Sequence, residues 1–412
     1  MKTFMLRFRT VLLLFLFSMI FVGANSQSSY LLVRGILKDS KTGEAIRFAA
    51  ITVPGTDIGT VSNSDGEFTL KVSNVLKAEY FEVSHISYAT SRFKISEATG
   101  EVRTYLIELQ PVQLKEVPVI DADARKIVEM AFRNIRQNYS TEPNMMTGFY
   151  REYIMQRRDY LSISEAVVDI YNAPYQGFQN DQVKIFKGRK SSDVKNADTL
   201  MVRLQGGPYV LLLLDIVKNT DLSIGLDDLD NYKYEISRYV QIDDKLHWVV
   251  DFVPAVNREN ALYKGKLYIS QENYAISRAE FSLDLSDEEK AASSFIKKKP
   301  SGMVFAPVST GYIVTFKEQE GRYYLNYVRV DLKFRCDWRK KLFRNTYTLM
   351  SEMAITGRNS GNIVKFENED QFRSSMIFSE KVTDFSDPDF WGEHNIIEPE
   401  QSIENAIRKL MK

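Results

Sequence analysis

Apolar and polar residues alternate with a period of two along most of this 412-residue chain, the pattern of strands buried on one face. Between residues 31 and 109 the alternating runs are short and stop at turn residues. Leu31 and Val33 lead to Gly35, and Ile36-Leu37 meets the turn Asp39-Ser40-Lys41-Thr42-Gly43. Ala50-Ile51-Thr52-Val53 ends at Pro54-Gly55, Thr60-Val61 runs into Asn63-Ser64-Asp65-Gly66, and alternation resumes over 68–72. Further runs cover 80–84 and 103–109. Glycine after Asp or Thr supplies the positive backbone angle of a tight turn. Strands at this spacing predict a β-sandwich.

After a linker over 111–122 the period lengthens. Ile127, Ala131 and Ile135 form one stripe with Val128 and Phe132 beside it, which predicts a helix over 123–139 capped by Asp121 or Asp123. Alternation then returns in longer runs. Two flank Gln156-Arg157-Arg158-Asp159, and another places Trp248, Val250 and Phe252 on one side. Others cover 263–269, 274–285, 312–316 and 324–338. In the last of these, Tyr324, Val328, Val330, Leu332, Phe334, Cys336 and Trp338 are expected on one face, as are Tyr347, Leu349, Ser351, Met353 and Ile355 in the run that follows. No helical period separates these runs, so the series predicts a large curved antiparallel sheet without parallel crossovers.

Three stretches interrupt the alternation. Residues 174–207 read as a polar insertion. Ser286-Asp287-Glu288-Glu289 reads as a capping box ahead of a short helix to residue 296, and 297–302 as an exposed turn. After Pro399 a helical stripe of Ile403, Ile407, Leu410 and Met411 predicts a last helix. It is expected to dock on the sheet, with membrane-surface binding as the alternative. The fold class expected is mainly β (α+β): a sandwich over 31–110, a linker over 111–122, and a β-rich domain over 123–412 with a helix near each end.

The N-terminus adds an address. Lys2, Arg7 and Arg9 precede an apolar run over 11–22 and the small residues Gly23 and Ala24, the layout of a secretory signal spanning 1–24. An uncleaved anchor is the alternative, but the run is short against the roughly 20 apolar residues of a span. No cysteine lies nearby for lipid attachment, and no later segment is apolar for long enough to cross a membrane as a helix. Fifty-four basic and 54 acidic residues cancel to zero net charge, which argues against a nucleic-acid binder. The single cysteine, Cys336, excludes an internal disulfide and is expected to be buried.

Nearly 80 residues within 31–109 carry a family pattern. It consists of Gly35, the turn from Asp39 to Ile46, Ala50-Ile51-Thr52-Val53, Gly55-Thr56-Asp57-Ile58-Gly59-Thr60, Ser64-Asp65-Gly66-Glu67-Phe68 and Val83-Ser84-His85-Ile86-Ser87-Tyr88. Together these resemble the carboxypeptidase-D-like regulatory domain, a prealbumin-like β-sandwich. Leu114-Lys115-Glu116-Val117-Pro118-Val119 is similar to the segment that ends this module in TonB-dependent outer-membrane receptors and their relatives. The resemblance implies an accessory module of envelope proteins without catalytic groups of its own. Lys412, rather than an aromatic residue, stands last, which weighs against the chain being a barrel receptor. The initial helix, the long strands and the Tyr263-to-Ile269 segment resemble the periplasmic lipoprotein-carrier fold, an open half-barrel around helices. That resemblance implies an apolar concave face able to hold an acyl chain; a filled core is the alternative.

Candidate chemistry is sparse. His85, His247 and His394 are the only histidines, and neither H-x-x-E nor H-E-x-x-H occurs, so a zinc peptidase site lacks its ligand pair. G-x-S-x-G is absent as well. Asn63, Asp65 and Glu67 offer oxygen ligands around Gly66, but a hairpin turn accounts for them. The double glycine Gly206-Gly207 lacks the lysine-serine pair of a phosphate loop. Glu165 and Asp169, with Arg151 and Glu152, are the carboxylates to inspect for hydrolysis, against a reading as paired charges. Lys333, Arg335, Arg339, Lys340, Lys341 and Arg344 form a basic cluster that suits acidic lipid or polysaccharide or a solvated face. No catalytic, metal or cofactor residue is assigned. The leading expectation is a non-enzymatic exported envelope protein, in the periplasm or on the periplasmic face of the outer membrane. It would bind an outer-membrane protein partner or a lipid-like ligand. The alternatives are a hydrolase with a carboxylate site on the large sheet, and a scaffold of an outer-membrane complex.

Overall fold

The computed structural model describes residues 30–98, 100–110, 123–177, 179–192, 205–295, 302–338, 345–384 and 390–410. The expected signal, the linker and Arg339, Lys340, Lys341 and Arg344 of the basic cluster lie outside them.

The chain is mainly β. Seven strands form the first unit: β1 (Tyr30–Asp39), β2 (Ala50–Thr52), β3 (Gly59–Val61), β4 (Glu67–Ser73), β5 (Tyr80–Ser84), β6 (Ser91–Lys94) and β7 (Val102–Ile107), with the one-turn helix α1 (Ile95–Ala98) before β7. They make a three-stranded sheet, β4-β1-β7, and a four-stranded one, β3-β2-β5-β6. Val33, Leu37, Ile51, Phe68, Phe81 and Tyr105 fill the space between them. Gly35 lets the sheets close: a Cβ there would sit 2.4 Å from the Tyr105 ring. Gly66 takes φ 80° in the β3–β4 turn and passes so near Leu37 that a Cβ would lie 2.6 Å from its carbonyl oxygen.

The larger unit begins with α2 (Ala124–Arg133) and α3 (Ile135–Asn138). Ten antiparallel strands follow: β8 (Asn144–Gln156), β9 (Asp159–Asn172), β10 (Gln182–Ser192), β11 (Tyr232–Ile242), β12 (Lys245–Pro254), β13 (Tyr263–Ser270), β14 (Ile276–Leu283), β15 (Met303–Gln319), β16 (Arg322–Trp338) and β17 (Asn345–Asn359). The two-residue β18 (Thr383–Asp384) pairs parallel with β10. The sheet order is β11-β12-β13-β14-β15-β16-β17-β8-β9-β10-β18. A meander from β11 to β17 is thus completed by the earlier hairpins, which attach to β17. The chain must cross from β10 at one side to β11 at the other. That crossover carries α4 (Gly207–Leu212) and 3-10 turns at Thr220–Leu222 and Leu226–Asn231 over one face of the sheet. We call this the inner face. Leu211, Leu212, Ile216, Leu222 and Leu229 pack there with Ile127, Val128, Ala131 and Phe132 of α2 against Val168, Val250, Leu267 and Val328. Helix α2 touches β11 and β13 while α4 touches β10, β16 and β17, so the sheet curves around its helices.

The structure corrects several expectations. The insertion over 174–207 contains β10, whose apolar Val183 and Ile185 give way to the cations Lys187, Arg189 and Lys190; Arg189 meets Glu165 of β9, while Lys187 and Lys190 donate to the Phe390 and Ser379 carbonyls. β11 shows no clean alternation in the sequence, because most of its residues are exposed or half-buried. The helix expected over 123–139 breaks at Asn134, beyond which Arg322 donates to the carbonyls of Arg136 and Gln137 and the Tyr139 hydroxyl bonds the Ile276 backbone. The short helix α5 (Glu288–Ser293) is capped by Asp287, which accepts from the Lys290 amide, not by Ser286. Tyr324 does not share a face with Val328. Phe316 pairs with Leu325 but Thr315 with Tyr327, so a bulge at Asn326 reverses the alternation.

The sandwich packs on the outer face. Phe48 stacks on Tyr327 at 5.8 Å, and Val61 meets Phe149, Val167 and Ala354. At the far side Ile86 enters a cluster with Val240, Val249 and Tyr268. The C-terminal segment runs along this seam. Trp391 crosses Phe149 edge-on at 5.3 Å, and α6 (Gln401–Leu410) buries Ile403 and Ala406 against Ile163. Asn395 bonds both backbone groups of Lys71 and so covers the open edge of β4.

Candidate functional site

Strand parity sorts the carboxylates singled out in the sequence. Along β8, Phe149, Arg151 and Tyr153 point outward, while Tyr150 and Glu152 point inward. Arg151 and Glu165 therefore meet on the outer face. The Arg151 guanidinium lies 2.7 Å from Glu165 and 3.3 Å from Glu352, with both side chains of the closer pair only 1% exposed. Arg189 reaches the other Glu165 oxygen at 3.0 Å, and Arg329 and the Tyr327 hydroxyl hold Glu352 at 3.3 and 2.7 Å. Arg151 also donates to the carbonyls of Ile397 and Glu398. Every oxygen here has a cation or hydroxyl, so the cluster ties strands, sandwich and tail together and offers no free acid or base. Asp169 stands farther along the same face, opposite Lys184, with its carboxyl raised by burial.

Glu152 has different company. It lines a cavity of about 500 Å³ on the inner face. The floor is Tyr150 and Glu152 of β8, Tyr312 of β15, Val330 and Leu332 of β16, and Leu349 and Ser351 of β17; Leu211 and Leu214 of the crossover form the roof. Phe295, Phe305, Phe334 and the exposed Lys333 stand around the mouth. The wall is mostly apolar with a few convergent polar groups, the composition of a small-molecule site. Gly206 and Gly207 open the roof helix, where a Cβ on Gly206 would lie 2.2 Å from Val210 and one on Gly207 2.9 Å from Phe378. Their role is close packing. The Tyr150 hydroxyl donates to Glu152 Oε2 at 2.6 Å. Burial pushes the Glu152 carboxyl up to about 7, the Tyr150 bond opposing this.

Other candidates resolve structurally. Asn63 Oδ1 accepts the amides of Asp65 and Glu67, and Asp65 accepts the Gln401 amide at the start of α6, so this turn holds the tail. No group of three metal-ligating side chains occurs among the described residues. His85 is half-buried and driven down to about 4, first by desolvation and then by Arg278. His247 bonds the Ser277 hydroxyl and the Lys245 carbonyl, and His394 packs on Phe186. Cys336 is buried with Phe334 and Tyr347. The cavity's roof was not legible in the sequence, because it is supplied by the crossover; its floor lies in the period-two faces that hold Val330 and Leu332, and Leu349 and Ser351.

Residues 33–119 match the CarboxypepD_reg-like domain family. No curated protein matches the chain. Among solved structures, a domain named for outer membrane lipoprotein sorting from Vibrio parahaemolyticus is 9% identical at TM-score 0.26, over 60% of this chain and 97% of that one. A DUF1329 family protein from Desulfovibrio piger is 13% identical at TM-score 0.25, over 60% and 99%. A LolA superfamily protein from Nitrosomonas europaea is 12% identical at TM-score 0.18, over 59% and 98%. No helix among the described residues is long and apolar enough to cross a membrane.

Proposed function

We propose that this chain is a non-enzymatic exported protein, with residues 1–24 as its removed signal, and that it binds an apolar-chain ligand in the inner-face cavity. The cavity carries the reading. A space of about 500 Å³ falls within the roughly 300–1,000 Å³ of small-molecule sites, and each buried methylene contributes about 0.8 kcal/mol. The sandwich then serves as a brace on the outer face, keeping the sheet curved around the space.

A two-carboxylate hydrolase needs its acids across one cleft. Glu152 is the only carboxylate lining the cavity among the described residues, and Glu165 lies on the opposite face, neutralised by arginines. The binding reading is the better fit.

Native mass spectrometry of the protein purified from its own cell envelope tests the proposal. A co-purifying amphiphile is expected, and Leu214→Trp, which fills the roof, should abolish it. A wild-type protein that arrives empty and takes up no added amphiphile sinks the reading.

A further inference from the structure

Glu152 is an unusual wall for an apolar cavity. Its neighbours across the strands are Ser351 on β17 and Ser164 on β9. The carboxylate is 5% exposed, and Oε1 has no hydrogen-bond partner among the described residues. The Ser164 hydroxyl, fully buried, also lacks a partner. No described cation pairs with Glu152, whereas the outward-facing Glu165 and Glu352 of the same sheet each hold arginines. The one cation lining the cavity among the described residues, Lys333, is exposed at the mouth. Ser164 does not line the cavity, but Glu152 does, and an acceptor left open at a largely apolar wall calls for an occupant that satisfies it. An anionic amphiphile with its head at Lys333 would press its hydrocarbon tail against Glu152. An ammonium or other donor head placed inward would instead meet the free oxygen, with its chain lying along Leu211, Leu214 and Leu332.

We propose that Glu152, steadied by the Tyr150 hydroxyl and flanked by Ser351, is the recognition point for the ligand's head, and that this head is a cationic hydrogen-bond donor, a primary ammonium on an apolar chain. The inference rests on the cavity being the ligand site and adds the polarity and direction of the ligand within it.

Three probes of one chain length separate the terms: decylamine, decanol and decanoate, each below its micelle concentration, titrated calorimetrically into the full-length protein at pH 8. Wild type should bind decylamine about tenfold or more tighter than decanoate, since a charge-assisted hydrogen bond is at stake. Glu152→Gln should erase that preference, and an unchanged near-UV circular dichroism spectrum reports an intact fold. Should Glu152→Gln fail to fold, Tyr150→Phe is the second variant. Freeing the carboxylate should lower the amine-to-acid ratio about threefold or more, and an unchanged ratio there overturns the assignment. Equal binding of all three probes to wild type, a preference for decanoate, or a selectivity untouched by Glu152→Gln overturns this inference and leaves the cavity reading standing. Binding of none overturns both.

Discussion

Arg151 and Glu152 are neighbours in sequence, yet one closes an outward ion network and the other ends in a cavity. Strand parity alone separates them. The carboxylates were visible in the sequence as a group, but which faced cations depended on register. Glu165 stands opposite Arg151 on β8 and Arg189 on β10, while Glu152 stands opposite serines on both sides. The difference has a pH signature. The Glu152 carboxyl is raised by burial from 4.5 to about 7, so the fold favours its protonated form. Its contribution is fully present below the unfolded value of 4.5 and is lost as pH rises through about 7. Glu152→Gln should therefore gain on wild type by roughly 3 kcal/mol between pH 4.5 and pH 7.5, as measured by urea unfolding at both values. Half-buried His85, driven down to about 4, works with the opposite sign, its contribution present above 6.5 and lost on acidification. It is common to both proteins and cancels in the comparison. A constant difference across the range would mean that Glu152 is solvated in the native state.

At the level of elements, the alternating runs of the sandwich and most long strands could be read because each buries one face against a neighbour close in sequence. β10 could not. Its outward Lys187 and Arg189 look like a solvent-facing stretch until Glu165, Phe390 and Trp391 are brought against them. The helical stripe after Pro399 was visible, but its seat on Ile163, beside Tyr153 and Tyr160, was not. That seat makes α6 part of the folded unit. Ile403→Ala should cost about 2–4 kcal/mol in chemical denaturation and speed proteolysis within 401–410. A loss below about 0.5 kcal/mol, the level of an ordinary surface change, would mean the helix is not held there.

Across the whole molecule, Arg151 is where the units meet. It joins β8 to β9 and β17 and donates to the tail at the Ile397 and Glu398 carbonyls, while Glu398 in turn accepts from Asn63 and Thr69 of the sandwich. Arg151→Ala should take one cation from each of two buried carboxylates, leaving Glu165 to Arg189 and Glu352 to Arg329, and cost about 3 kcal/mol. It should also split one unfolding transition into separate sandwich and sheet transitions in calorimetry. Retention of a single, unshifted transition would show that the apolar seam of Phe48, Tyr327 and Trp391 suffices without it.

The sequence by itself determined the mainly β class, the sandwich and its turns, the antiparallel series and the lack of a peptidase or serine-hydrolase motif, because period, turn residues and motif spacing are local properties. Only the tertiary structure decided that the early hairpins complete the late meander, that the β10–β11 crossover roofs a cavity, and that Glu152 faces it with no cation paired to it among the described residues. Those outcomes depend on which distant strands pair and in which register, and a shift of one residue would have exchanged the inner and outer faces.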